Sequence, residues 1–251
     1  MSPLHVVVFL AFTTESALGF GATVVTVALG SLLLPLETIL PAFVPLNVAL
    51  STYLAVRYRR DVELRLLLTR IVPLMGLGMP VGFLALRALG GARLTPIFGA
   101  LVVVLAVVEL VRLARASRST ATVDVPAATP TPRGELVSGA LLLLAGIVHG
   151  AFATGGPLAV YVTGKRLADK ARFRATLSAL WLLLNAALVI TYAATGSLDG
   201  ATLRTSATLA VSLGAGTIAG ELLHHRVPDR AFRLAVFVVL LLAGLMLVVR
   251  R

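Results

Sequence analysis

Cysteine is missing altogether from the 251 residues. Its absence excludes disulfides, thiolate metal sites and cysteine nucleophiles, and says nothing firm about compartment. Charge is scarce too: Asp, Glu, Lys and Arg make up 13% of the chain, about half the share of an ordinary soluble domain. Aromatics are sparse at 6%, with a single tryptophan. Catalytic signatures are also lacking: there is no G-x-x-x-x-G-K-[ST] loop, no G-x-S-x-G elbow and no H-E-x-x-H. ATP-driven transport would therefore need a separate subunit. His224-His225 has Asp229 nearby but no further ligands at metal-binding spacing. No catalytic residue, metal or cofactor is expected.

What the chain does have is apolar length. It is 58% hydrophobic with a mean hydropathy of +0.98. Apolar spans fall at 4–34, 40–56, 66–86, 94–111, 136–163, 175–195, 203–223 and 232–249. A membrane-crossing helix needs about 20 such residues, so the chain reads as an all-α integral membrane protein. The first span lacks a basic segment before it and is expected to be mature protein rather than a cleaved signal. A net charge of +11 raises the question of nucleic acid. The basic residues cluster in short loops between apolar spans, as membrane topology requires, so the bilayer is the expected partner and nucleic acid is not.

The segment Ala114 to Gly134, rich in Ser, Thr and Pro, reads as a cytoplasmic linker between a first membrane repeat at 1–113 and a second at 135–251. Pro126, Pro130 and Pro132 predict extended or disordered chain there. The two parts align. A shift of 138 residues places Asn47 on Asn185, Asp61 on Asp199, Gly76 on Gly214, Gly78 on Gly216 and Gly82 on Gly220. Five matches over 36 residues without a gap indicate an internal duplication. The glycines form the same G-x-G-x-x-x-G pattern in the third span of each half, a spacing that lets helix backbones approach closely in lipid.

Charge decides whether the copies are parallel or inverted. With eight full crossings, alternate loops would carry twelve and ten of the 22 basic residues, almost no bias. Suppose instead that the long first span of each half enters and leaves on one side. The loops 57–70, 112–133, 165–174 and 226–233 then share a face holding seventeen basic residues against five. The positive-inside rule favours this second arrangement. It predicts two inverted repeats, each a glycine-broken re-entrant helix segment plus three transmembrane helices, with Asp61 cytoplasmic and Asp199 external.

Those first spans are broken by polar and glycine residues. One reads Thr14-Glu15-Ser16-Ala17-Leu18-Gly19-Phe20-Gly21-Ala22-Thr23, the other His149-Gly150-Ala151-Phe152-Ala153-Thr154-Gly155-Gly156-Pro157. Lipid tolerates irregular backbone only where protein or a cavity covers it, and a matched pair of broken segments points to a transporter's binding site. Gly155-Gly156-Pro157 is a helix-start signal, and a helix N-terminus offers free N–H donors to an anion. Gly21-Ala22-Thr23 takes the same place in the first half, where Thr23 would cap the helix or offer its hydroxyl. A plainer alternative is that these glycines only permit tight packing.

At a local shift of 134, Glu15 falls on His149 and Gly21 on Gly155. Ionisable groups inside a membrane are expensive and are functional candidates by default; Glu15 and His149 are candidates for carrying a coupling proton. The alternatives are a Glu15 reaching the interface and a neutral His149 bonded to a carbonyl. Asn47, Ser51 and Asn185 contact substrate or bridge helices. Thr176, Tyr161 and Tyr192 are weaker candidates; Arg172 and Arg174 attract anions at a vestibule or simply set topology. Glu109 and Glu221 lie near span ends, where snorkelling suffices.

The stretch His149 to Leu158, followed by Tyr161 and by Lys170-Ala171-Arg172-Phe173-Arg174-Ala175-Thr176-Leu177, resembles the TauE/SafE sulfite exporter family. That family carries a G-x-x-G-x-G-G-type element opening each half of a duplicated membrane protein. In the first half, Gly21-Ala22-Thr23 stands where the family has consecutive glycines. The resemblance implies a multi-pass transporter of the bacterial-type inner (plasma) membrane that exports sulfite, sulfoacetate or another small sulfur-containing or organic anion. The expected substrate site comprises Gly21, Thr23, Asn47, Ser51, Thr154, Gly155, Gly156 and Asn185. The other reading is a passive anion channel of the same architecture. A homodimer is left open.

Overall fold

Backbone crossing lipid must satisfy its own hydrogen bonds, and helices do so within one segment. The structure, a computed structural model, describes residues 3–18, 21–116, 132–167, 169–226 and 229–249. All regular structure among them is helical. Gly19, Phe20 and the linker prolines Pro126 and Pro130 lie outside the described residues, as do the side chains of His224, His225 and Asp229.

The helices are α1 (Pro3–Leu18), α2 (Ala22–Gly30), α3 (Leu36–Arg57), α4 (Leu64–Leu66), α5 (Val72–Leu89), α6 (Gly91–Ala116), α7 (Pro132–Phe152), α8 (Gly156–Gly164), α9 (Lys170–Ala194), α10 (Gly200–Arg226) and α11 (Asp229–Val249). A π turn at Leu67–Ile71 joins α4 to α5, giving one apolar helix Leu64–Leu89. Among the described residues six helices are long and apolar enough to cross a membrane: Leu36–Arg57, Leu64–Leu89, Gly91–Arg115, Pro132–Phe152, Ala171–Ala194 and Gly200–Leu223. The chain is a multi-pass membrane protein. Most helices begin before their apolar run because polar residues start them. Asp169, for example, accepts from the Arg172 N–H at 2.8 Å and caps α9. Pro132, expected in the linker, is instead the first residue of α7, where its missing N–H costs nothing.

The chain divides into two compact units that cut across the sequence halves. One draws on Met1–Ile39, Leu89–Val125 and Ala207–Arg251, the other on Leu40–Ala88 and Pro126–Ser206. In the first unit α1 packs on α2, and α6 on α11. A Cβ on Gly99 of α6 would lie 2.8 Å from the Gly244 carbonyl of α11. In the second unit Met75 of α5, Leu142 and Ala145 of α7, Ala159 and Val162 of α8, and Leu180 and Leu184 of α9 share one buried core.

The glycine helices explain this exchange. Gly78 and Gly82 of α5 face the α7 backbone at Leu143 and Ile147, where a Cβ would overlap carbonyl oxygen. Gly146 and Gly150 of α7 return the contact against Met75 and Met79. In the other unit Gly216 and Gly220 of α10 face the α1 backbone at Phe9 and Thr13. Each glycine helix therefore packs on the broken segment of the opposite half. The first glycine of each triplet differs: Gly76 and Gly214 meet nothing within 4 Å.

Candidate functional site

Both predicted breaks are present, and each turns the chain back on itself. Between α7 and α8, Ala153 takes a left-handed φ of 52°, an uncommon conformation for a residue with a side chain. The chain then reverses, bringing Gly155 against the Ala145 carbonyl two turns back in α7, so that a Cβ there would overlap backbone. Its φ of −84° is ordinary. Gly155 is required for close approach, not for conformation. Gly156 has room: a Cβ would sit 4.0 Å from the Trp181 ring. Between α1 and α2 the reason reverses. Gly21 has a φ of 111° at the N-cap, which favours glycine, while a Cβ would be 3.7 Å from Thr14.

The second element gathers four of the predicted residues. His149, Thr154, Gly155 and Gly156 lie within one turn and its flanks, and His149 and Thr154 are buried. The Gly155 N–H donates to His149 Nδ1 at 3.4 Å. His149 is thus bonded to an amide, where the alternative to proton coupling has it bonded to a carbonyl. Its ring stacks on Trp181 of α9, with centroids 5.8 Å apart and planes at 19°. His149 Nε2 has no partner among the described residues. The first-turn N–H groups of α8 have no intrahelical acceptor, and Pro157 has none to offer.

The first element gathers Glu15, Gly21 and Thr23. Glu15 Oε2 accepts the Ala22 N–H at 2.9 Å, reaching across the break from α1. Of the two roles expected for Thr23, the cap is excluded: Thr23 lies inside α2 and is buried, and Gly21 stands at the cap position. The acceptor comes from seven residues back.

The remaining candidates sit on α3 and α9, and α9 packs on the second element. Asn47 and Ser51 are buried and one turn apart on α3. Asn185 is buried on α9, with Oδ1 unpartnered among the described residues. It lies one turn from Trp181 and so on the same stripe of that helix. Trp181 itself was not among the sequence candidates. A signal for it exists: the 138-residue shift sets Phe43-x-x-x-Asn47 on Trp181-x-x-x-Asn185.

Other candidates have structural partners. Thr176 Oγ1 accepts the Glu63 N–H at 3.0 Å, and Arg172 pairs with Glu63 at 3.4 Å. Tyr161 is 43% exposed, with the Lys165 ammonium 4.3 Å from its ring centre. Glu109 pairs with Arg112 at 2.7 Å. Tyr192 is buried beside Phe83. Glu221 and Arg174 are exposed.

An ion cluster closes the base of the second element. Glu135 near the start of α7 pairs with Arg166, just past α8, and with Arg70 in the π turn. The entry and the exit of the broken segment thus meet at one end. Over residues 4–247 the sequence matches the family description Sulfite exporter TauE/SafE.

The chain belongs to the sulfite exporter TauE/SafE family.

No curated protein and no solved structure matches it. In this TauE/SafE member the match runs across both broken elements and every helix from α1 to α11.

Proposed function

We propose that the chain is a secondary transporter of the bacterial-type inner membrane that exports a small sulfur-containing or organic anion, of which sulfite and sulfonates are the leading candidates. The observation that carries this reading is α8, a helix whose N-terminus starts inside the protein at a broken, buried turn. Such a terminus concentrates unbonded N–H groups and about half a positive charge. Thr154, Gly155 and Gly156 line it, and Asn185 of α9 and the buried α3 pair Asn47 and Ser51 are proposed to complete the site. Gly21 and Thr23 are the corresponding positions of the first element. The family description supplies sulfite as the named anion.

The inverted topology belongs to the same proposal. Its support is where the basic loops meet. Glu63 in the 57–70 loop pairs with Arg172 in the 165–174 loop, while Arg70 and Arg166 share Glu135. In the other unit Arg230 donates to the Leu113 carbonyl at 3.3 Å. These are the loops that the charge count assigns to one face. On this reading α7, though long enough to cross, is the first arm of a re-entrant segment, and α3, α5, α6, α9, α10 and α11 are the crossings. Glu15 is the residue proposed to carry a coupling proton, because protonation would weaken its hold on Ala22.

Counterflow tests the transporter reading. Proteoliposomes preloaded with unlabelled sulfite should accumulate external labelled sulfite transiently and saturably. A flux that neither saturates nor accelerates on exchange would replace the transporter with a passive anion channel.

A further inference from the structure

The two broken elements occupy corresponding positions, yet their chemistry is opposite. Each sends a side chain from its first arm across the break to a backbone N–H at the start of its second. In the first element that side chain is a carboxyl group: Glu15 Oε2 accepts from Ala22 at 2.9 Å. The N-terminus of α2 therefore already holds an acceptor oxygen, supplied by the chain itself. In the second element the side chain is an imidazole: His149 Nδ1 accepts from Gly155 at 3.4 Å. No negative charge accompanies it.

That hydrogen bond also fixes the tautomer. An amide N–H can only donate, so Nδ1 presents its lone pair and the ring proton resides on Nε2. His149 is 1% exposed, and Nε2 has no acceptor among the described residues. A buried N–H without an acceptor is costly and calls for a partner. Stacking on Trp181 at 5.8 Å holds the ring plane, so the donor is fixed in direction. Between His149 and Gly164 there is no Lys or Arg. The donors on offer are neutral: the imidazole N–H and the first amides of α8.

We propose that the anion site is single and asymmetric, built on the second element alone, with the Nε2–H of His149 as its side-chain donor, while Glu15 fills the equivalent place in the first element. The inference rests on the anion-transporter reading and makes His149 a neutral specificity residue, not a proton carrier.

Two substitutions separate the donor from the structural bond. His149→Gln places an NH2 near the Nε2 position and gives up the Nδ1 acceptor. His149→Asn keeps an acceptor for Gly155 and gives up the distal donor. Purified protein is titrated calorimetrically with sulfite and with methanesulfonate. The fluorescence of Trp181, the chain's single tryptophan, provides a local report. The wild type should bind one anion per chain. His149→Asn should weaken binding by about tenfold or more, and His149→Gln should stay within about threefold of wild type and keep the pH dependence of transport. Two anions per chain would overturn the single site, and wild-type affinity in His149→Asn with loss in His149→Gln would overturn the assignment of His149; either result leaves an anion transporter. If neither anion binds the wild type, the anion reading falls with it.

Discussion

Gly155 and Gly21 are both needed at their breaks, for different reasons. A methyl on Gly155 runs into the Ala145 carbonyl, so Gly155→Ala should destabilise the fold by about 1–3 kcal/mol through overpacking. Gly156→Ala, with room beside Trp181, should unfold close to the wild type. For Gly21 the cost is conformational, from a φ of 111°, about 1–2 kcal/mol on substitution by alanine. Thermal unfolding of the three variants in detergent checks the order. Asp199 offers a pH signature. Its carboxylate caps α10 by accepting the Thr202 N–H at 2.7 Å, and that bond holds its pKa below the usual aspartate range. The capping stability is therefore present above the ordinary aspartate pKa and is lost as pH falls through the depressed one. Asp199→Ala should lower the melting temperature at neutral pH, whereas Asp199→Asn, also a good cap, should not. The sequence announced Gly155-Gly156-Pro157 as a helix start, but not which glycine is sterically fixed. That depends on Ala145, which only the reversal of the chain brings into contact.

The broken segments and the glycine helices form one device. Gly78 and Gly82 against Gly146 and Gly150 let α5 and α7 touch backbone to backbone, and Gly216 and Gly220 do the same on α1. A bulky residue there should separate the helices. Gly82→Leu and Gly220→Leu are expected to abolish a cooperative melting transition, while Gly76→Ala and Gly214→Ala, facing open space, should leave it unchanged. The G-x-G-x-x-x-G pattern was legible in the sequence as a packing face. Its partner was not, because spacing along one helix carries no information about which helix it will meet. The apolar runs likewise located nearly every helix but placed their starts late, since caps such as Asp169 are polar. At the base of α7, Glu135 holds Arg70 and Arg166 with about 30% of its side chain exposed. Glu135→Gln should cost about 1 kcal/mol or less, and the difference in melting temperature should shrink in high salt.

At the scale of the whole molecule, two claims follow from counting charges and from reading α8. The first is inversion. Because the chain has no cysteine, Asp61→Cys and Asp199→Cys carry single labels without background. An impermeant maleimide should reach Asp199→Cys from outside intact cells and Asp61→Cys only after permeabilisation; a parallel repeat would expose both on one side. The duplication proposed here rests on five matched positions, and Phe43 and Trp181 are a further aromatic pair at the same 138-residue shift. What stayed hidden was the unlike chemistry of the two elements, since a local alignment that sets Glu15 on His149 does not show which N–H each one meets. The central claim is that an anion sits at the N-terminus of α8. The direct measurement is anomalous scattering from crystals grown with selenite, a heavier analogue of sulfite. A selenium peak within hydrogen-bond distance of the Gly156 amide and His149 Nε2 is the predicted result. A fully occupied peak elsewhere in the protein, with that position empty, would contradict it.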